Sequence, residues 1–415
     1  MAKHKNKYLR AKCACYMGYI TQAAIVNLAP LLFVIFRDTY GVSFEMLARI
    51  VLINFMVQIC ADILSINLLK KISLRALAVT AHAFSTVGMV LFAFLPGVLG
   101  YWGILISTAI YALGGGMIEV VVNPVIDACD DGDDGKKSPA AIAILHSFYC
   151  WGHVLVVVLS TLFLEFFGNA LWRTLPLLWA AVPAINIFLF ATAKMPENCS
   201  KGEALSFRSV FSSKLFVFAA LLMITAGAAE QAVAQWASIF AEKGLGVSKT
   251  LGDLLGPMCF AVCMAIIRIV VGLMGEKIDT GKVLAASSVL CIICYCLMVF
   301  FKNPVISLAG CALCGFAVGF MWPGVLSLSA NKMRGGAAMF GMLAFFGDVG
   351  CSVGPWISGI ASDTAVSWAG KLSQLPFFTG LEAGQIGLKC GIMAAFIFPI
   401  LLLGIVLKFR KVNEN

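Results

Sequence analysis

Glu119, Asn123 and Asp127 stand four residues apart in the otherwise apolar run GGGMIEVVVNPVID, Gly114 to Asp127. On a helix, steps of four drift by about 40°, so the three side chains share one face. The pattern offers a carboxyl that can take up and release a proton, with an amide one turn on that hydrogen-bonds either form. A charge at membrane depth costs about 2.5–3.5 kcal/mol on insertion scales, so it faces a protein interior or a watery cavity and marks a transport or proton path. The alternative is a structural carboxyl bonded to neighbouring helices. Pro124 removes a backbone donor in the same run and predicts a kink there, which would let cavity water reach Glu119 in one conformation and not the other. Glu119 and Asp127 are the proton-coupling candidates.

Other polar side chains interrupt apolar segments. Gln22 and Asn27 lie in the first, and Asn54, Gln58 and Asp62, again at four-residue spacing, in the second. Such groups either line a cavity or hydrogen-bond across a helix contact, for about 0.6 kcal/mol each; both roles are open here. His146 and His153 in the fifth segment are read as satisfied hydrogen-bonders, although histidine can titrate near neutral pH. The seventh carries Glu230, Gln231, Gln235 and Trp236. Carboxylate and amides satisfy hydroxyls while a flat ring covers the apolar side of a sugar; against this stand a structural network at Glu230 and an interfacial anchor at Trp236. The substrate-binding candidates are therefore Asn123, Gln22, Asn27, Gln58, Glu230, Gln235 and Trp236. Arg268 in the eighth segment and Asp348 in the eleventh would each be costly alone, and are expected to form a charge pair or to anchor the solute.

The elements that carry these residues are membrane helices. The chain has 415 residues, 61% of them hydrophobic and 12% charged, with a mean hydropathy of +0.95, a composition that no soluble globular surface tolerates. Apolar stretches long enough to cross a core of about 30 Å recur throughout. They predict twelve spans near residues 13–36, 44–69, 74–95, 98–126, 140–167, 172–193, 214–241, 251–275, 283–301, 304–329, 336–362 and 386–408. The basic start runs directly into a full-length span with no cleavage signal. With the N-terminus inside, Lys and Arg favour the inside segments by about three to one, which places both termini in the cytoplasm. The +9 net charge follows from that orientation, so no nucleic-acid partner is expected.

The polar interval 195–213 is a cytoplasmic linker between two six-helix halves, 1–194 and 214–415. A weak repeat supports the division: Gly116 lies seven residues before Asn123-Pro124, and Gly315 seven before Trp322-Pro323. Paired halves with interrupted helices predict a substrate site at their interface near the bilayer midplane. Only the first half carries the acid, because Val318 stands where Glu119 would. The fifteen cysteines read as small apolar residues, and neither a metal nor a cofactor is expected, even at Cys311-Ala-Leu-Cys314. The acidic loop Asp130 to Gly135 lacks the spacing of a calcium loop.

Taken together, the runs LLKKISLRALAV, GGGMIEVVVNP, IIRIVVGLMGEKI, WPGVLSLSANKM and GPWISGIASD resemble the fucose permease-like sugar:proton symporters of the major facilitator superfamily. The likeness covers nearly the whole chain. Its most specific element is Glu-x-x-x-Asn-Pro, which puts the family's essential helix 4 carboxylate on Glu119. Departures are the absence of an acid in helix 1, Ile267-Arg268 in place of Gly-Arg, Asp348 in place of a small residue, and Lys70, Lys71 and Arg75 in place of the loop motif after helix 2. The resemblance implies an all-α polytopic protein of twelve transmembrane helices with the major facilitator fold. It would be a secondary active transporter, proton-coupled, moving a sugar or similar small polar solute by alternating access in the plasma or inner membrane, as a monomer in the lipid bilayer. An exporter of drugs or metabolites on the same fold, and a substrate-sensing receptor, are the alternatives. No nucleophile-base or metal constellation points to an enzyme.

Overall fold

A computed structural model describes residues 8–69, 71–129, 139–196, 213–274, 279–332 and 336–409. All regular structure among them is helical. The acidic loop and linker residues 197–212 lie outside the described residues, as does the side chain of Asp127. Eleven helices are long and apolar enough to cross a membrane, and a bent pair makes a twelfth span. Helices prevail because in hydrocarbon each backbone polar group must be bonded within its own segment.

The bent pair is α1 (Leu9–Leu31) and α2 (Phe33–Tyr40), which meet at 46°. Pro30 explains the break, since it has no N–H to give and its ring crowds the preceding turn. Next come α3 (Phe44–Leu68), α4 (Leu74–Leu99), α5 (Tyr101–Cys129), α6 (Pro139–Phe167) and α7 (Thr174–Thr192). After the linker follow α8 (Lys214–Ala234), α9 (Lys249–Asp253), α10 (Cys259–Met274) and α11 (Thr280–Phe300). The last spans are α12 (Pro304–Gly319) with α13 (Met321–Lys332), α14 (Gly336–Ser367), and, beyond the short α15 (Ala369–Leu372), α16 (Ala383–Ala394) with α17 (Ile397–Phe409). Helix starts follow local sequence: Ser73, Ser213, Asp279 and Asn303 each accept a backbone N–H of the first turn, the usual N-cap arrangement.

The two prolines of the weak repeat behave differently. The chain remains helical through Pro124 within α5, while the corresponding span of the second half divides at Phe320, between α12 and α13. Helix α8 stops before Gln235 and Trp236, and a π turn, Phe240–Gly244, follows.

By packing, the chain forms two compact units. Unit 1 comprises Met1–Ala29 and Ile53–Gly202; unit 2 comprises Pro30–Leu52 and Glu203–Asn415. Small residues set the closest helix approaches in each, the usual solution where lipid supplies no hydrophobic drive for association. In unit 1, a Cβ on Gly114 would strike α4 at Ser85 and Ala81, and one on Gly116 would strike α3 at the Gln58 carbonyl. In unit 2, α8 and α14 meet through Gly347, Gly350 and Gly354, and a Cβ on Gly350 would fall on the Ile224 carbonyl oxygen. Gly350→Ala is therefore expected to cost about 1–3 kcal/mol, read as a lower unfolding temperature in detergent. Gly404→Ala, whose Cβ would meet nothing within 4 Å, is expected to leave that temperature unchanged.

Candidate functional site

In unit 1 the polar groups gather along one stripe of α5. Gly115, Glu119 and Asn123 follow at four-residue steps, about 6 Å apart along the helix. Gly115 makes room for two amides: a Cβ there would come within 2.9 Å of Gln22 Oε1 and 3.2 Å of Gln58 Cδ. Gln22 Nε2 donates to Gln58 Oε1 at 2.6 Å. The other ends of this pair, the acceptor Gln22 Oε1 and the donor Gln58 Nε2, are buried without a hydrogen-bond partner among the described residues; the residues are only 4% and 2% exposed. One turn along the stripe is Glu119, half-buried. Asn123 donates to the Glu119 backbone carbonyl at 3.2 Å and accepts from the Tyr19 hydroxyl at 3.3 Å. Asn27 donates to the Ala23 carbonyl at 2.9 Å and reaches the Tyr149 hydroxyl at 3.4 Å. Four of the sequence-predicted residues, Gln22, Gln58, Glu119 and Asn123, thus share one face, with Asn27 further along α1.

In unit 2 the polar groups form a linear chain of contacts. Gln235 donates to Gln231 at 2.8 Å, Gln231 donates to Glu230 at 3.2 Å, and Glu230 faces the Arg268 guanidinium at 3.8 Å. Tyr295 fixes α8 one residue before Glu230 by donating to the Ala229 carbonyl at 2.8 Å. Arg268 Nε donates to the Gly319 carbonyl at 3.2 Å. That carbonyl lies four residues before Pro323, which has no N–H to offer it, so the arginine replaces the lost helix bond. Asp348, the partner that the sequence proposes for Arg268, is buried on α14, while the carboxylate 3.8 Å from Arg268 is that of Glu230. Trp236 is 2% exposed. Its Nε1 donates to the Pro355 carbonyl at 3.1 Å, and its ring lies 5.9 Å from Phe33 and 6.0 Å from Phe44.

Several polar residues escape a sequence reading. His82 is wholly buried in unit 1, its Nδ1 at 2.8 Å from the Ala78 carbonyl and its Nε2 at 2.8 Å from Asn186 Nδ2. In unit 2, Lys389, near the start of the predicted span 386–408, lies 1% exposed within α16. It donates to the carbonyls of Met298, Val299 and Phe301 at 3.0, 3.2 and 2.7 Å, capping the C-terminus of α11. Lys249, Asp253 and Ser238 form a compact network beside the π turns, with Lys249 at 2.8 Å from Asp253. Near it, burial holds Glu242 above the ordinary carboxylate range, against the opposing pull of Lys249 and Lys243. The nearest sequence signals were Tyr19, three residues before Gln22, and Pro323, whose missing N–H implied a free carbonyl at Gly319.

The family model of the Major Facilitator Superfamily matches residues 134–355, more than half of the chain. The chain belongs to this superfamily. This facilitator is accordingly a transporter and not an enzyme, as its motifs implied. Similar solved structures include a variant of the nucleoside transporter NupG, with 12% identity over 96% of this chain and 100% of that one at a TM-score of 0.75. The E. coli fucose:proton symporter FucP shares 18% identity over 96% and 99% of the two chains at a TM-score of 0.61. A D-xylose-proton symporter shares 13% over 94% and 96% at 0.73. At such identities the likeness is one of fold. No curated protein matches the sequence.

The Arg268 contacts give a stability prediction. Arg268→Ala is expected to cost this facilitator about 3–5 kcal/mol, because it strands both a buried carboxylate and a proline-freed carbonyl. In a double-mutant cycle with Glu230→Ala, the losses are expected to fall short of additivity by about 1–3 kcal/mol. The same cycle with Asp348→Ala measures that carboxylate's share of the arginine, and additive losses there assign Arg268 to Glu230 alone.

Proposed function

We propose that this facilitator is a proton-coupled symporter of a sugar-like, polyhydroxylated solute. It works by alternating access of the repeats 1–194 and 214–415, as a monomer in the cell membrane with both termini cytoplasmic. The observation that carries the solute class is the Gln22–Gln58 pair. Leaving a buried donor and acceptor unpaired costs about 1–3 kcal/mol each, a standing penalty that a ligand removes by pairing with both. A hydroxyl both donates and accepts, so it satisfies the two atoms at once. Flipping both amides exchanges their roles and leaves the same complement. Asn123 and Asn27 extend this surface in unit 1. Glu230, Gln235 and Trp236 are the proposed contacts in unit 2, with Arg268 and Asp348 as the associated charges. The fucose and D-xylose symporters among the similar folds move solutes of this class together with protons, which supports the reading.

Glu119 is the proposed proton carrier, with Asp127 two turns on as the second candidate. Its position one turn from the amide pair places a protonatable group beside the solute, so that loading of one can favour loading of the other. Glu119→Gln keeps the size and hydrogen-bonding of the protonated acid. In proteoliposomes under an imposed proton gradient it is expected to abolish uphill uptake while retaining solute binding and exchange of internal for external solute. Undiminished uphill uptake would move the role to Asp127, Glu230 or Asp348.

The solute itself is to be found by a thermal-shift screen of sugars, sugar acids, polyols and nucleosides on the purified protein. For the solute so identified, the double variant Gln22→Leu/Gln58→Leu is expected to raise KM at least about tenfold while leaving stability equal or higher. Apolar groups of similar shape in place of both amides remove the unpaired atoms and their penalty. A loss of stability with KM unchanged would instead make the pair a packing contact.

A further inference from the structure

Residues 30–52 are tied to unit 2 by an interaction that no neighbouring sequence announces. Helix α3 begins at Phe44, and the first backbone N–H groups of any helix have no partner within it. The hydroxyl of Ser43, the residue before α3, takes the Met46 N–H, at 3.3 Å. The Phe44 and Glu45 N–H groups are taken instead by Asp363, at 3.0 and 2.8 Å, one to each carboxylate oxygen. Asp363 lies near the C-terminal end of its own helix α14, where the helix dipole disfavours an acid. The N-terminus of α3 is where that dipole favours one. The contact therefore caps α3 and gives the Asp363 carboxylate two donors that its own helix does not supply.

The surroundings are fitted to this cap. Trp356 donates to the Glu45 carboxylate at 3.1 Å, and a Cβ on Gly359 would press on the Phe44 carbonyl and on Ala48. Lys243 lies 3.6 Å from Asp38. Two membrane spans are shared between the units at this end. The first passes from unit 1 to unit 2 at Pro30, where the 46° bend lies. The second, α3, passes at Leu52 to Ile53 with no break in its helix. A proline bend can absorb a change of angle, but an unbroken helix cannot. A motion of one unit against the other that leaves α3 whole has to loosen its hold on one of them, and the hold at its start is the one that Asp363 makes.

We propose that Asp363 is a positioning residue of the transport cycle. As a cap supplied from α14, it holds the start of α3 on unit 2 in this state, and breaking it is the step that frees α3 for the other. The inference rests on the alternating-access reading, and on neither the solute nor the coupled proton.

Hydrogen–deuterium exchange on the purified protein tests the hold without any solute. In Asp363→Ala, exchange of the peptide covering residues 44–52 is expected to rise about tenfold, the change in opening constant that loss of a charge-assisted hydrogen bond produces. Asp363→Asn, which keeps one acceptor, is expected to fall between Asp363→Ala and the wild type. Exchange in α11 and the unfolding temperature of Asp363→Asn are expected to stay unchanged. With a solute returned by the screen, counterflow through Asp363→Ala is expected to fall about fivefold, because the held state becomes a minor one. Unchanged exchange over 44–52 overturns the proposal, as does an equal rise in α11, which marks a general loss of stability. Faster local exchange with normal counterflow overturns the timing role. Failure of the solute or proton assignment leaves the exchange result standing, so the two readings fail separately.

Discussion

A backbone group without a partner is far more costly in hydrocarbon than at a wetted surface, and the charged side chains of unit 2 are placed by that constraint. Asp363 takes two N–H groups at the start of α3, and Lys389 takes three carbonyls around the end of α11. Arg268 takes the carbonyl that Pro323 leaves open. In each case a full charge meets the matching end of a helix or a broken turn, so the desolvation of the side chain and that of the backbone offset each other. Charges that look anomalous in an apolar segment are here part of how the segments begin, end and break.

The two units treat their remaining polarity differently. At the end of α8 and just past it the amides and the acid bond to one another in sequence, from Gln235 through Gln231 to Glu230, and Arg268 ends the series. On α1, α3 and α5 the set is left incomplete, with one donor and one acceptor of the Gln22–Gln58 pair unpaired at full burial. A satisfied network is a rigid one. An unsatisfied one is poised to accept a ligand, and the protonatable Glu119 stands one turn from it. Only the first half carries this acid, as the sequence shows at Val318, and the open pair lies on the same side.

Much of this was legible in the residues because hydropathy and helical spacing are local properties. The spans follow from length and composition. The stripe of Glu119 and Asn123 follows from a four-residue step, and Gln58 from the same step in α3. Pairing across helices was not legible, since it depends on crossing angles that small residues set. Arg268 could be seen to need a partner, and the sequence paired it with Asp348; Glu230, nearly forty residues away on another span, read instead as a solute contact or part of a structural network, yet it is the carboxylate that faces the guanidinium. Pro124 and Pro323 look equivalent in sequence, yet only the second coincides with a broken helix. The strongest bend belongs instead to Pro30. Lys389 falls at the start of a predicted span, and nothing in its own segment tells that three carbonyls around the end of α11 await it.

The glycine run in the middle of α5 also bears on how such a carrier can change its diet over evolutionary time. Gly114, Gly115 and Gly116 each abut a different neighbour: α4, the amide pair, and the backbone of α3. None can gain even a methyl group without displacing one of them. This wall of the proposed site is therefore closed to gradual mutation, and under that proposal altered solute preference arises on the facing helices, through residues such as Gln22 and Gln58. Relatives of this facilitator that differ in cargo should then vary on α1 and α3 while keeping the three glycines.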